Sequence, residues 1–132
     1  MVRWREAEMP YEPLEDKRMY QRAEAVADQI WEMVGGWDWF PMKTVGSQFT
    51  RAADSIGANI AEAGGRFHPN DVKKFLYYAR GSLRETVYWI RRCLARGLIA
   101  QSAADPLCEE LEQLSREINQ AITFQKKRKD AE

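Results

Sequence analysis

The chain of 132 residues is long enough for one hydrophobic core and short enough for one domain, so a single domain over 1–132 is expected. Basic and acidic side chains number 20 each and cancel to a net charge of zero, which excludes a strongly nucleic-acid-seeking or membrane-seeking molecule as a whole. No apolar run approaches the roughly 18 residues of a membrane span, and the N-terminus shows no apolar signal segment.

The two cysteines and the single histidine limit the chemistry available to a site. Cys93 and Cys108 lack metal-ligand spacing, and Cys93 falls on an apolar helix face, which predicts a reduced core thiol in a cytoplasmic protein. With His68 as the single imidazole, a zinc site or a histidine-based triad is poorly supplied. We therefore expect no metal, no cofactor and no membrane partner.

The first predicted helix covers about 14–34 and follows an N-terminal extension over 1–13. A pair of glycines ends it. The segment WDWFPMKT, residues 37–44, comes next and is predicted to be a loop, because Pro41 interrupts regular structure. Its three aromatic residues are interpreted as a hydrophobic plug over one end of a helical bundle.

Three further helices follow, with almost no strand signal between them. They are predicted over 44–63, over 68–96 and from Ser102 or Asp105 onward, with a frayed basic tail at 126–132. Short connections between long helices favour antiparallel neighbours. The predicted fold is therefore all-α, an antiparallel up-down-up-down four-helix bundle.

Apolar residues at helical spacing define one core face on each helix. These faces run from Met19 to Val34, from Val45 to Ala63, from Val72 to Leu94 and from Leu107 to Ile122. Their spacing predicts that the four helices share one core.

The second helix carries a polar stripe that borders its apolar face instead of opposing it. Its five members fall within a sector about 80° wide and are Arg51, Ser55, Asn59, Glu62 and Arg66. The third helix has a similar border that includes Ser82 and Glu85. Because an unpaired buried polar group costs about 1–3 kcal/mol, these residues are predicted to form a paired network that fixes the helix register.

Two other interpretations of these polar residues stay open. The same groups could build a contact between subunits. A catalytic pair of Glu62 and Glu85 is the least favoured interpretation, because no nucleophile, metal ligand or phosphate loop accompanies it. The sequence therefore predicts that the protein is not an enzyme.

Basic residues far outnumber acidic ones on the third helix. Lys73, Arg80, Arg84 and Arg91 fall in a sector about 40° wide and form a basic ridge about 27 Å long. Such a ridge can follow phosphates, so RNA is a candidate partner. The alternative is that the ridge pairs with carboxylates of the first helix or of a neighbouring subunit.

The number of aromatic residues is high for so small a bundle. Those that cannot all fit its core are Trp4, Tyr11, Trp31, Trp37, Trp39, Tyr78, Tyr88 and Trp89. Aromatic side chains left at a surface favour burial in an interface. Tyr78 and Trp89 lie beside Ser82 and Glu85, so an interface of a homo-oligomer is predicted on that side of the third helix.

The motifs RAADSIGANIAEAGGRF and FLYYARGSLRETVYWI resemble the four-helix-bundle proteins encoded in intervening sequences of 23S ribosomal RNA. The resemblance covers roughly residues 15 to 125 and departs at Ala63, where that family usually has glycine. It implies an antiparallel bundle that assembles as a ring-like homopentamer, and it implies little biochemistry. A related branch is similar to accessory proteins of diversity-generating retroelements, which bind RNA and a reverse transcriptase.

The leading hypothesis is a non-catalytic, homo-oligomeric protein that associates with RNA, or acts as an adaptor, through the basic ridge. One alternative is an accessory protein of a diversity-generating retroelement, with a reverse transcriptase and RNA as partners. The other is a purely structural or protein-binding oligomer whose basic ridge pairs internally.

Overall fold

The computed structural model describes residues 17–131, and within that range the chain forms helices and turns and no strand. The predicted extension over 1–13 lies outside the described residues. Four long helices follow one another as α1 (Arg18–Gly35), α2 (residues 39–64), α3 (Pro69–Ala95) and α4 (Gln101–Ala131). The all-α class and the four predicted helices are confirmed.

Helix α2 is built from three consecutive segments, which are Trp39–Pro41, the π-helical turn Met42–Gly46 and the α-helix Ser47–Gly64. It begins at Trp39, earlier than the predicted residue 44. The prediction treated Pro41 as a helix breaker, but a proline in the first turn costs little because the backbone N–H groups there have no helical partner.

The ends of α3 follow the local rules that its sequence suggests. His68 precedes the helix, and its Nδ1 accepts a hydrogen bond from the backbone N–H of Asn70 at 3.1 Å. Pro69 occupies the first helical position, as predicted. Beyond the last turn, Gly97 adopts a φ of +70°, a left-handed conformation that favours glycine.

Helix α4 continues through Ala131, so the basic segment that was predicted to fray is helical here. Its last turn carries Arg128 and Lys129, whose positive charges interact favourably with the negative end of the helix dipole. Pro106 lies inside this helix, because α4 begins at Gln101.

The four helices pack in a closed order, α1 on α2, α2 on α3, α3 on α4 and α4 on α1. Their predicted apolar faces supply the core. Its largest fully buried apolar side chains are Phe49, Ile30, Ile56, Ile60, Ile90, Leu107, Leu111, Leu114, Ile118 and Val26. Burial of one such side chain stabilises the fold by about 1.5–3 kcal/mol. One core therefore spans all four helices.

Two buried residues of the α3 core carry a hydroxyl or a thiol, and of these Cys93 was predicted to lie on the apolar face whereas Thr86 was not. Thr86 is fully buried, and its hydroxyl donates a hydrogen bond to the carbonyl oxygen of Ser82 at 2.8 Å, which satisfies the polar group. Cys93 is a buried free thiol, as predicted. Burial raises the pKa of Cys93 to about 11, so the thiol is protonated at neutral pH.

The predicted aromatic plug is reduced to one side chain. The Trp37 ring stacks on Phe49, with centroids 6.4 Å apart and planes inclined by 17°. Trp39 and Phe40 project outward and are exposed. Beside Trp37, a Cβ atom on Gly46 would lie 2.5 Å from Cγ1 of Val34, so this contact between α1 and α2 requires glycine. None of the described helices combines the length and apolarity needed to cross a bilayer.

Candidate nucleic-acid interface

The basic ridge lies along the border of α3 that adjoins α4. Arg80 donates a hydrogen bond from Nη1 to Oδ1 of Asn119 on α4 at 3.1 Å, and its guanidinium lies 5.0 Å from the centroid of the Tyr77 ring. Arg91 lines a groove with Glu112 of α4. Arg84 and Arg91 are exposed, whereas Lys73 and Arg80 are half-buried. The four side chains thus form a continuous positive border beside the α3–α4 seam.

None of the four ridge side chains forms an ion pair with a carboxylate within residues 17–131. Two acidic side chains of α4 are instead engaged by α1. Arg22 donates from Nε to Oε1 of Glu117 at 2.9 Å and from Nη1 to Oε2 of Glu110. Glu110 and Glu117 are therefore engaged by α1 and not by the ridge, and Glu112 lines the groove beside Arg91 without forming an ion pair with it within residues 17–131.

The two ion pairs of Arg22 with Glu110 and Glu117 were not predicted from the sequence. A signal was present, because Glu110 and Glu117 are seven residues apart and flank the apolar face of α4, while Arg22 adjoins Ala23 of the α1 face. The choice of partner depends on the relative register of two helices, and helical periodicity carries no information on that register.

The polar stripe of α2 bonds along its own helix. Ser55 Oγ donates to the carbonyl oxygen of Arg51 at 2.8 Å, and Asn59 Nδ2 donates to the carbonyl oxygen of Ser55 at 2.9 Å. Arg66 pairs with Glu62 at 2.5 Å, with both side chains largely exposed. These are contacts between residues four apart, and water reaches every member of the stripe because each is half-buried or exposed.

The matching border of α3 also bonds locally. The carbonyl of Ser82 accepts the Thr86 hydroxyl, and Oε2 of Glu85 accepts a hydrogen bond from Nε1 of Trp89 at 3.2 Å. Among the described residues no hydrogen bond joins this border to the α2 stripe, so the predicted network between helices is not observed within one chain. Short serine and asparagine side chains at the edge of a core reach the preceding helical turn more readily than a neighbouring helix.

The two borders do meet through aromatic contacts. The guanidinium of Arg66 lies 4.8 Å from the ring centroid of Phe75, and Phe75 contacts Tyr78 edge to face with centroids 5.7 Å apart. Tyr78 is 51% exposed. Farther along α3, Trp89 is half-buried and contacts the exposed Tyr88 ring at 4.9 Å. Trp4 and Tyr11 of the predicted surface set lie outside the described residues.

A cavity of about 330 Å³ opens where the first turns of α1 and α3 meet the last turns of α2 and α4. Its apolar lining includes Ile60, Val72 and Leu76. Phe67 and Phe124 stand at this cavity with most of their surface exposed. Two guanidinium groups also line it. Sequence reasoning did not single out this cavity, although Phe67 directly follows the first motif.

The groove between α1 and α2 has the opposite charge. Asp28 and Asp54 line it together with small residues such as Gly57 and Ala58. Desolvation raises the pKa of Asp54, and the nearby charge of Asp28 raises it further. Glu24 also lines the groove, and three carboxylates there disfavour a phosphate ligand, so the α3–α4 side is the better candidate for a polyanion.

Fold and surface together define a small helical-bundle protein whose basic ridge forms no ion pair within the described residues. The family model described as 23S rRNA-intervening sequence protein matches residues 15–120, and the chain belongs to this family. Similar in fold is the crystal structure of a protein with unknown function from the S23 ribosomal protein family of Bacteroides thetaiotaomicron VPI-5482. Its TM-score is 0.71 at 20% sequence identity, covering 79% of this chain and 97% of that one. No curated protein matches the chain.

Proposed function

We propose that the protein is a non-catalytic, homo-oligomeric, RNA-associated protein of the cytoplasm that contacts phosphates through the basic ridge. The observation that carries this proposal is the charge state of the ridge. Within the described residues none of its four cations forms an ion pair, while two glutamates of α4, Glu110 and Glu117, bind Arg22. The description of the family, which refers to 23S rRNA, supports RNA as the polyanion.

Because the whole molecule is neutral, we expect phosphates to be attracted to one surface, the basic ridge, and not to the protein as a whole. Binding to RNA releases counterions in proportion to the phosphates neutralised, so affinity falls linearly with the logarithm of salt concentration. Four ridge cations predict a slope of about −3 to −4 on a double-logarithmic plot. A protein whose charges are balanced everywhere would show almost no slope.

The test is a titration of a generic structured RNA at two salt concentrations, followed by fluorescence anisotropy. Arg84→Gln and Arg91→Gln are the informative variants, because both side chains are exposed and neither holds an ion pair within the described chain. Each should reduce the slope by about 1 and weaken binding. Lys43→Gln removes the same charge at an exposed position near Trp39 and should leave the slope unchanged. Absence of binding at low salt would refute the RNA proposal.

Assembly is the second part of the proposal. The Tyr78 and Trp89 side of α3 forms the contact of a homo-oligomer, for which the resemblance suggests a pentamer. Exposed aromatic rings at Tyr78 and Tyr88, next to the locally bonded polar groups, support an interface there. Trp89→Ala should weaken assembly by about 2 kcal/mol or more.

Light scattering at micromolar concentration tests this interface. Because Trp89 also packs against the core, Tyr78→Ala serves as a second variant that removes an exposed ring. Trp31→Ala, at an exposed site on α1, is the matched control. A monomeric unmodified protein would contradict the proposal, and an oligomer unaffected by both α3 variants would place the interface elsewhere.

Within each subunit, the helices are proposed to run antiparallel in up-down-up-down order. Three contacts support this arrangement. Arg80 bonds Asn119, and Arg128 near the end of α4 donates to the carbonyl oxygen of Phe67 just before α3. A Cβ atom on Gly57 in α2 would lie 3.7 Å from that of Ala23 in α1. Spin labels at 70 and 127 should be close together, and a long distance between them would contradict this order.

The alternative function is an accessory protein that binds a reverse transcriptase together with RNA. It uses the same ridge, and the exposed Trp31 of α1 offers an apolar contact for a second protein. The neighbouring genes distinguish the two proposals. A reverse transcriptase gene beside this one favours the accessory role, whereas a location inside a ribosomal RNA gene favours the leading proposal.

A further inference from the structure

We propose that the cavity at the Phe67 end of the bundle holds an unstacked base of single-stranded RNA, with the basic ridge guiding the phosphate backbone to it. This inference rests on the proposed function and specifies which form of RNA the protein binds. An unpaired base offers a flat apolar face and a polar edge, and the cavity presents groups that complement both.

The apolar part of the site consists of a buried floor and two exposed rings. The floor consists of three buried side chains, Ile60, Val72 and Leu76. Phe67 is 88% exposed and Phe124 is 59% exposed, although both contact the cavity. Exposed phenyl rings beside a recess are suited to stacking on a base, because every base has a π face.

The polar part of the site is cationic. Arg128 donates from Nη1 to Oε1 of Gln125 at 2.8 Å and from Nη2 to the Phe67 carbonyl at 3.3 Å, and it has no carboxylate partner within the described chain. The guanidinium retains further N–H donors for a phosphate or a base edge. Its contact with the Phe67 backbone holds the positive charge next to the exposed ring. Arg66 adds a second guanidinium, which is already paired with Glu62.

The ridge and the cavity are continuous. Lys73, the first residue of the ridge, directly follows Val72 of the cavity lining on α3. Arg80 meets α4 at Asn119, and two turns farther along α4 the chain reaches Phe124 and Arg128. A strand that follows the ridge toward the start of α3 therefore arrives at the cavity.

This continuity is what favours RNA over a smaller ligand. An amphipathic carboxylate, such as a fatty acid, would also combine an apolar body with a negative group. It would use the cavity and leave the ridge without a role. A single strand uses both surfaces with one backbone, and it accounts for two exposed rings where an enclosed acyl chain would favour buried ones.

The test compares a short RNA single strand containing 2-aminopurine with a duplex of the same length, using anisotropy for affinity and 2-aminopurine fluorescence for stacking. Single strand should bind more tightly than duplex. Phe67→Ala and Phe124→Ala should each weaken single-strand binding about tenfold and remove the fluorescence change, because stacking contributes on that order per base. Phe67→Trp should preserve both signals. Phe40→Ala, which removes a ring that is 69% exposed elsewhere, is the control and should change neither signal.

Failure of this inference differs from failure of the proposed function. If the Phe67→Ala and Phe124→Ala double variant binds single strands normally while Arg84→Gln still reduces the salt slope, the base site is wrong and the ridge stands. If neither RNA form binds at low salt, the RNA function itself is wrong. Decanoate binding that Phe67→Ala abolishes, together with RNA binding that the same variant leaves unchanged, would assign the cavity to an amphipathic carboxylate instead.

Discussion

The two regions where helix termini meet use aromatic side chains in opposite ways. Where α1 leads into α2, Trp37 stacks on the buried Phe49, and Gly46 lets the two helices touch. Where α2 leads into α3, Phe67 and Phe124 stand around a cavity and expose most of their surface. One region is closed by the Trp37–Phe49 stack, with Trp39 and Phe40 exposed outside it, and the other is left open between two exposed rings.

This difference shows that the same residue type serves stability in one place and leaves surface for a ligand in the other. Trp37 and Phe49 remove apolar area from water, which stabilises the fold. Phe67 removes little area within the subunit, so its ring contributes little to folding. Substitutions in the two regions should therefore differ in how much they lower the free energy of unfolding, with the larger losses where the rings are buried.

Phe49→Ala should destabilise the protein most, by about 3–5 kcal/mol. The ring is fully buried and stacks with Trp37, so its loss leaves a cavity that the surrounding helices fill only in part. Urea unfolding followed by circular dichroism at a fixed protein concentration measures the change. Phe40→Ala, at an exposed ring in the same region, should change the free energy of unfolding by less than about 0.5 kcal/mol. Equal effects of the two variants would contradict the conclusion that the buried Phe49 ring closes this region.

Trp37→Ala should destabilise the fold by about 2 kcal/mol, less than a fully buried tryptophan, because part of its ring already faces water. The stacking contact with Phe49 would be lost, whereas the helices keep their own hydrogen bonds. Trp37→Phe retains an apolar ring and should recover about half of the loss. A neutral Trp37→Ala would mean that the stack does not close this region.

Gly46→Ala should destabilise the protein by about 1 kcal/mol, the balance of overpacking against the better helix propensity of alanine. The new Cβ atom would lie 2.5 Å from Cγ1 of Val34 and 3.2 Å from the carbonyl oxygen of Pro41, so α1 and α2 must move apart. Gly81→Ala is the matched control, since no atom outside the local helix backbone lies within 4 Å of its Cβ position, and it should stabilise the helix. The sign of the difference between the two alanine variants, from thermal unfolding, is the decisive result.

Phe67→Ala should change the free energy of unfolding least, by less than about 0.5 kcal/mol. Its ring is 88% exposed and lies in the connection before α3. The same urea experiment checks this value, and the unchanged fold makes the variant suitable for binding studies. A loss of stability comparable to that of Trp37→Ala would show that the open region is a structural closure after all.

Much of the fold could be predicted because the signals are local. Apolar periodicity fixes the four helices, Pro69 marks the start of α3, and the glycines after α1 and α2 mark their ends. The start of α2 was misplaced because proline is disruptive or harmless according to its distance from the helix start, and that start was itself unknown. A helical wheel gives the angle of a residue around its own helix, and it does not give the register of that helix relative to its neighbours.

The candidate site could be predicted only where its signal lies within one helix. The alignment of the basic ridge follows from spacing within one helix. Its lack of ion pairs in the described chain depends on how the helices pack, since Arg22 of α1 holds two glutamates of α4, Glu110 and Glu117. The cavity brings together residues from four helices, so no single segment carries its signal. The ion pairs between helices and the cavity arise only when the helices pack against one another.

The π-helical turn Met42–Gly46 has a consequence for changes in chain length. Such a turn accommodates one residue more than the α-helical path requires. Deleting a single residue there would restore the regular path and leave Trp39 and Phe40 at about the same angle around the helix axis relative to Phe49, because the wider turn already absorbs the rotation of about 100° that one extra residue would otherwise add. The face from Phe49 onward would keep its orientation. A single-residue deletion at this point would therefore leave the same aromatic rings facing the solvent, whereas an insertion would turn Trp39 and Phe40 to a different side of the helix unless the turn widened again.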